Sequence, residues 1–203
     1  MKPLYKSVKN EASIEIIEKK SHFIGSIART ETEAEALDFI KKIKLHYADA
    51  SHNVYAYIIT ENIIRFNDNG EPSGTAGKPV LEVINREGLS RVTCVITRYF
   101  GGILLGAGGL IRVYAKAAKT AVDSAGIIEV FQTEIIKIIA DYKLAPILDN
   151  YLKKNHNFST DTEYNENVNF ITTVYTEEKE ELIKNITELT NGKVVVRPYK
   201  NPC

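Results

Sequence analysis

The chain has no net charge. Its 203 residues carry 26 Lys and Arg against 26 Asp and Glu. That excludes a uniformly basic nucleic-acid coat protein, so binding of that kind has to be confined to a patch. Cysteine is nearly absent: Cys94 lies within an apolar strand pattern and Cys203 is the last residue. The pair supports neither a disulfide framework nor a CxxC metal motif, which fits a reducing compartment and a cytoplasmic location. No run of 18 apolar residues occurs, so neither a membrane-spanning helix nor a membrane partner is expected. The first residues, Met1-Lys-Pro-Leu-Tyr-Lys-Ser7, hold no apolar signal core. Internal repeats and low-complexity tracts are missing. His22, His46, His52 and His156 show no ligand spacing with cysteine or acids, so no metal and no cofactor is expected. The most informative absence is local. From Gly88 to Val122 there is no Asp or Glu, while Arg91, Arg98, Arg112, Lys116 and Lys119 all fall there.

Glycine crowds into the same window. Five of the chain's 12 glycines lie between Gly101 and Gly109. Such density suggests turns with positive φ or the close approach of another group. The window reads Thr97-Arg-Tyr-Phe-Gly-Gly102, then Leu105-Gly-Ala-Gly-Gly-Leu-Ile-Arg112, and opens a helix rich in alanine from Gly108 to Ala125. A glycine-rich turn feeding a helix start presents unpaired N–H groups and the positive end of the helix dipole. Arg112, Lys116 and Lys119 follow at spacings of four and three, on one helix face. Leu110, Tyr114, Ala117 and Ala121 lie opposite and are expected to pack inward. Two readings are open for that basic face: an anion- or nucleic-acid-binding surface, or an ordinary solvated face. The lack of acids favours binding. The candidate binding set is Lys78, Arg98, Gly101, Gly102, Gly106, Gly108, Gly109, Arg112, Lys116 and Lys119. Tyr99 and Phe100 would stack on bases if exposed, but core aromatics at a strand end are preferred.

A second glycine-rich string, Asp68-Asn-Gly-Glu-Pro-Ser-Gly-Thr-Ala-Gly-Lys-Pro79, tempts a phosphate-loop assignment. It fails on spacing, because Pro72 stands where a glycine is needed. Lys78 is followed by proline rather than Ser or Thr, and a strand, Val80 to Ile84, is expected next rather than a helix. Asp68 and Glu71 are weak candidates for an acid-base pair. Asn69-Gly70 is also a plain turn signal, and the turn is preferred. No catalytic residue is assigned.

Elsewhere, residues 13–17, 21–29, 53–60, 62–66 and 92–97 read as strands. Thr30 and Glu33 form a capping box that opens a helix with Leu37, Ile40, Ile43 and Tyr47 as its apolar stripe. After Phe131 the pattern becomes strand 134–141, helix 145–155, strands 157–164 and 167–175, helix 177–190 and strand 193–197. That is β-α-β-β-α-β, the ferredoxin-like order. Leu182, Ile183, Ile186 and Leu189 are expected inward. The fold class is therefore α+β in two domains, residues 1–131 and 132–203.

The Asn69–Pro79 string, with Thr97–Gly102 and Leu105–Leu110, closely resembles the signature of the IMPACT family. Lys20-Ser-His-Phe-Ile-Gly25, Ala50-Ser-His-Asn53 and Tyr55-Ala-Tyr57 agree with it. The chain looks like a bacterial member with an extra C-terminal domain. The resemblance implies an N-terminal domain similar to the second domain of ribosomal protein S5 and a C-terminal domain similar to the last domain of elongation factor G. Both point to RNA or the ribosome. Eukaryotic relatives act as translational regulators under amino-acid stress, through a ribosome-associated kinase activator not expected in bacteria. Two positions depart from the family pattern. Asn69 stands where a second aspartate is usual, and Val54 where cysteine is usual, which weighs against a second carboxylate or a thiol as a catalytic group. The function expected is RNA- or ribosome-associated binding with a role in regulating translation. Alternatives are an enzyme acting on a phosphorylated small molecule in the glycine-rich groove and a protein-binding adaptor. Some such proteins have been labelled proline dipeptidases, but the His, Asp and Glu set of a metallopeptidase is not seen.

Overall fold

The computed structural model describes residues 2–154 and 159–199. Contacts divide the chain into two compact units, Leu4–Val130 and the residues from Phe131 onward, the latter including those before Leu4.

The Leu4–Val130 unit is built on a five-stranded antiparallel sheet. Its strands are β2 (Ala12–Glu18), β3 (Ser21–Arg29), β4 (His52–Thr60), β5 (Ile63–Asn67) and β6 (Val92–Tyr99), in the order β2-β3-β6-β4-β5. The remaining strands, β1 (Tyr5–Val8) and β7 (Ile127–Val130), pair as a separate antiparallel ribbon. Period-two alternation gives the sheet two buried faces. Phe23, Ile27, Val54, Ala56, Cys94 and Ile96 pack against two helices, α2 (Gly77–Arg86) and α3 (Gly106–Ala125). Ala28, Tyr57, Ile59 and Val95 pack against α1 (Glu33–His46) on the other side. The alanines of α3 serve close packing: a Cβ at Gly25 of β3 would lie 3.2 Å from the Ala117 carbonyl oxygen. Leu110, Tyr114, Ala117 and Ala121 all point inward, as the helix period requires.

Three local expectations are corrected. Residues Val80–Ile84 are helix, not strand, because they belong to α2. Their β-branched residues suggest a strand, but Val80, Val83 and Ile84 fall on one buried helical face. Pro79 sits in the first turn, where no intrahelical N–H is needed. The capping box lies two residues later than Thr30 and Glu33. Thr32 is the N-cap, its hydroxyl accepts from the Glu35 amide at 3.2 Å, and the Glu35 carboxylate accepts from the Glu31 amide at 2.8 Å. Thr30 is instead buried in a hydroxyl pair with Thr93 at 2.8 Å. The α1 stripe is consequently Ala36, Phe39, Ile40 and Ile43, and Leu37 is exposed.

The second unit runs β8 (Thr133–Ala140), α4 (Ala145–Lys154), β9 (Ser159–Tyr164), β10 (Val168–Tyr175), α5 (Lys179–Leu189) and β11 (Val195–Pro198). Its antiparallel sheet has the order β11-β8-β10-β9, so the β-α-β-β-α-β succession closes with its last strand beside its first. Ile136, Ile138, Leu148, Val168, Phe170, Leu182 and Ile186 form the core. Leu189 is exposed rather than inward. The expected helix end at Asn155 and strand start at Asn157, together with His156 and Cys203, lie outside the described residues.

Candidate functional site

The two glycine-rich strings lead into two of the three helices of the Leu4–Val130 unit, α2 and α3. At the first, Asp68-Asn69-Gly70-Glu71 makes a tight turn, with Asn69 and Gly70 at φ 47° and 86° and the Glu71 amide donating to the Asp68 carbonyl at 3.0 Å. The Asp68 carboxylate then folds over the start of α2. One oxygen accepts from the amides of Ala76 at 3.1 Å and Gly77 at 2.7 Å, and the other from Gly74 at 2.8 Å. A helix does follow this string, which removes one ground for setting aside a phosphate loop. Asp68 supplies a better one: a carboxylate of the chain itself fills the place an anion would take. Lys78, in the first turn of α2, is exposed.

Glu71 points inward. Its Oε1 accepts from Arg98 Nη1 at 2.6 Å and from the Tyr114 hydroxyl at 2.7 Å. The Arg98 and Glu71 side chains are 6% and 3% exposed. His52 completes the cluster. Its Nδ1 donates to the Asn69 carbonyl at 2.8 Å and its Nε2 stands 3.9 Å from Glu71 Oε1. Burial, and the Glu71 carboxylate beside it, push the Tyr114 hydroxyl well above its ordinary range, so it stays protonated and donating. Asp68 and Glu71 are thus not a matched acid-base pair facing one space. One caps a helix, and the other ties the 68–77 loop to β6 and α3. The Cys94 thiol, fully buried, is pushed up to about 12 by that burial and stays un-ionised.

The second glycine string behaves differently. Gly101 lies flush against the β2–β3 turn: a Cβ there would sit 2.0 Å from the Lys20 carbonyl carbon and 2.4 Å from the Ser21 nitrogen, so only glycine fits. Its amide donates to Ser21 Oγ at 3.0 Å. The turn it abuts is made of Lys19 and Lys20, with φ of 45° and 65°. That left-handed conformation costs an ordinary side chain about 1 kcal/mol or more per residue. Beyond the loop, α3 begins without a side-chain cap and without an acid in its first turn. Gly106 and Gly108 are exposed, as are Gly102 before them and Arg112 and Lys116 after them, while Gly109 packs against Leu105. A hollow of about 140 Å³ lies between the turn and the helix, lined by Glu18, Lys19, Leu105, Gly109, Arg112, Val113 and Lys116.

The acid-free window is therefore less basic than its sequence. Arg91 pairs with Glu31 at 2.5 Å, and Arg98 is buried on Glu71. Lys119 is engaged by Asp123 and reaches Glu87 at 3.5 Å. Arg98 and Lys119 are thus corrected: partners within the chain hold both. Among the described residues, Arg112 and Lys116 have no such partner. Lys19 joins them at the hollow, and Lys20 is its neighbour in the turn. They precede Gly101 by some eighty residues, and two lysines between strands give no local sign of that contact.

Residues 19–122 match the family model described as the Impact N-terminal domain. The chain belongs to the IMPACT family. Residues 138–193 match a second model, a domain of unknown function (DUF1949). IMPACT family member YvyE of Bacillus subtilis (strain 168) is 44% identical over 191 residues, 93% of this chain and 88% of that protein. An IMPACT family member of Haemophilus influenzae is 30% identical over 183 residues, 88% of this chain and 89% of the other. A solved structure described as the crystal structure of an hypothetical protein superposes with a TM-score of 0.63 over 100% of both chains, at 22% identity, and shares the fold. Within the IMPACT match fall both helix starts, the Lys19–Lys20 turn and the Glu71 cluster. Among the described residues, no helix is long and apolar enough to cross a membrane, and no group of three or more His, Cys, Asp or Glu is placed to hold a metal.

Proposed function

We propose that this IMPACT family protein binds the backbone of RNA, free or within the ribosome, as part of a cytoplasmic role in regulating translation. The observation that carries the proposal is the convergence of Lys19, Arg112 and Lys116 on one hollow beside the uncapped start of α3. Lys20 stands next to them, and Glu18 is the one acid of the lining. Unpaired cations and free helix amides suit phosphates, and such contacts carry no sequence preference. Size decides against an enclosed small-molecule site: about 140 Å³ is well below the roughly 300–1,000 Å³ usual for such pockets. Asp68 and Glu71 are bonded within the fold, so neither is offered as an acid-base catalyst. A role in translation is also what the family resemblance implies, as are the similarities to ribosomal protein S5 and elongation factor G.

Ultraviolet crosslinking in living cells, followed by mapping of the RNA-bearing peptides, tests the proposal. Crosslinks are expected within residues 16–24 and 99–116. Recovery of the protein without RNA, or in a complex that survives ribonuclease and contains only protein, would favour the adaptor alternative.

A further inference from the structure

Phe100 is the aromatic residue at the edge of this surface, and it belongs to none of the apolar cores. It is 48% exposed, and Ile103 and Leu104 beyond it are 40% and 81% exposed. Its neighbour Tyr99 is committed elsewhere, donating its hydroxyl to Asp49 at 2.7 Å. The expectation of core aromatics is therefore corrected for both: Tyr99 is half-buried, Phe100 is exposed, and neither joins a core.

Phe100 is held at its backbone and at its ring. The Phe100 amide donates to Ser51 Oγ at 3.1 Å, and the Arg98 guanidinium carbon stands 5.4 Å from the ring centroid. Arg98 lies at a similar 5.3 Å from the Phe23 ring and is fixed by Glu71 at 2.6 Å. Arg98 Nε is buried and has no hydrogen-bond partner. A guanidinium held under an exposed ring is a prepared support: stacking on it would immobilise little that is not already fixed. Gly101 follows directly and abuts Lys20, whose neighbour Lys19 lines the hollow with Arg112 and Lys116. The aromatic is thus joined through Gly101 to the turn that lines the hollow.

We infer that Phe100 is a stacking platform for an unpaired base, so that the surface selects single-stranded over duplex RNA. The inference rests on the proposed backbone binding. A duplex keeps its bases stacked on one another and offers the ring nothing, whereas a single strand presents open base faces.

The chain contains no tryptophan, so Phe100→Trp places a single emitter at this position. Binding of a fluorescein-labelled oligouridylate and of a labelled RNA duplex of equal length is followed by anisotropy, and Trp emission is read with unlabelled RNA. The wild-type protein should prefer the single strand. Phe100→Ala should lose about five- to a hundredfold in affinity for it, the value of one stacked base, with duplex affinity unchanged. Phe100→Trp should retain binding, with its emission quenched by oligouridylate. Bound oligouridylate with unchanged emission, or wild-type affinity in Phe100→Ala, overturns the platform while leaving phosphate binding in place. If the wild-type protein binds neither RNA, the backbone surface itself falls and the platform with it. A protein whose capture is lost in Phe100→Ala, when RNA binding is not, would reassign the ring to protein docking.

Discussion

The starts of α2 and α3 look alike in sequence and differ in what they offer. Both follow glycine-rich strings, both lack an acid in the first turn, and neither N-cap residue supplies a side-chain bond. At α2, Asp68 reaches forward over a turn and occupies three amides. At α3, no carboxylate among the described residues does this, and Arg112, Lys116 and the Lys19–Lys20 turn stand around the opening. A glycine-rich loop before a helix is therefore not in itself an anion site. What decides is whether a carboxylate of the same chain already sits there.

The largest effect is expected where both starts are anchored. Glu71 ties the 68–77 loop to Arg98 on β6 and to Tyr114 on α3. Glu71→Ala leaves the Arg98 guanidinium buried without a partner and should cost about 3–5 kcal/mol in chemical unfolding of the Leu4–Val130 unit. Glu71→Gln, which keeps the volume and an acceptor, should cost less.

Asp68→Ala would make the α2 start resemble that of α3. Losing a charged cap on three amides should cost about 2–3 kcal/mol. Sulfate should restore part of that loss by entering the vacated place, and should do little for the wild-type protein. A variant as stable as wild type in sulfate-free buffer would show that the cap is not what shapes α2.

The Lys19–Lys20 turn holds two side chains in a glycine-like conformation. Replacing the pair by Asn-Gly, the residues suited to such a turn, should raise stability by about 1–2 kcal/mol and weaken RNA binding. Stability and binding moving in opposite directions would mark the lysines as kept for function. If both fell, the turn would be structural.

Ala107→Asp turns the comparison around by giving α3 its own acid. Ala107 is exposed in the first turn, so the change should stabilise the helix by about 0.3–1 kcal/mol while lowering RNA affinity. Thermal unfolding and RNA titration of one preparation measure both.

The sheet was legible in the sequence because β3, β4 and β6 are short apolar runs rich in β-branched and aromatic residues, which is a local signal. The C-terminal strand and helix order was legible for the same reason. α2 was not, since Val80, Val83 and Ile84 satisfy both a strand composition and a helical face, and only packing against β4 and α3 chooses between them. The site was half legible. Arg112 and Lys116 follow from helical spacing, but the charge of the window does not. Arg91 and Arg98 are bound by Glu31 and Glu71, which lie 60 and 27 residues away. Lys20 enters because Gly101 has no Cβ to hold it off. Contacts within the chain took Arg98 and Lys119 out of the candidate surface and brought in Lys19 and Lys20.

The most direct test of the central claim is the salt dependence of RNA affinity for the wild-type protein beside Arg112→Ala/Lys116→Ala and, separately, Lys119→Ala. The wild-type log-log slope should be about −0.7 per phosphate contacted on a single strand. Removing Arg112 and Lys116 should make it shallower by about one to two units, with affinity lowered alike for different sequences. Lys119→Ala, whose cation is already paired with Asp123, should leave the slope nearly unchanged. A double variant that keeps the wild-type slope, or a wild-type protein whose binding ignores salt, would contradict the account.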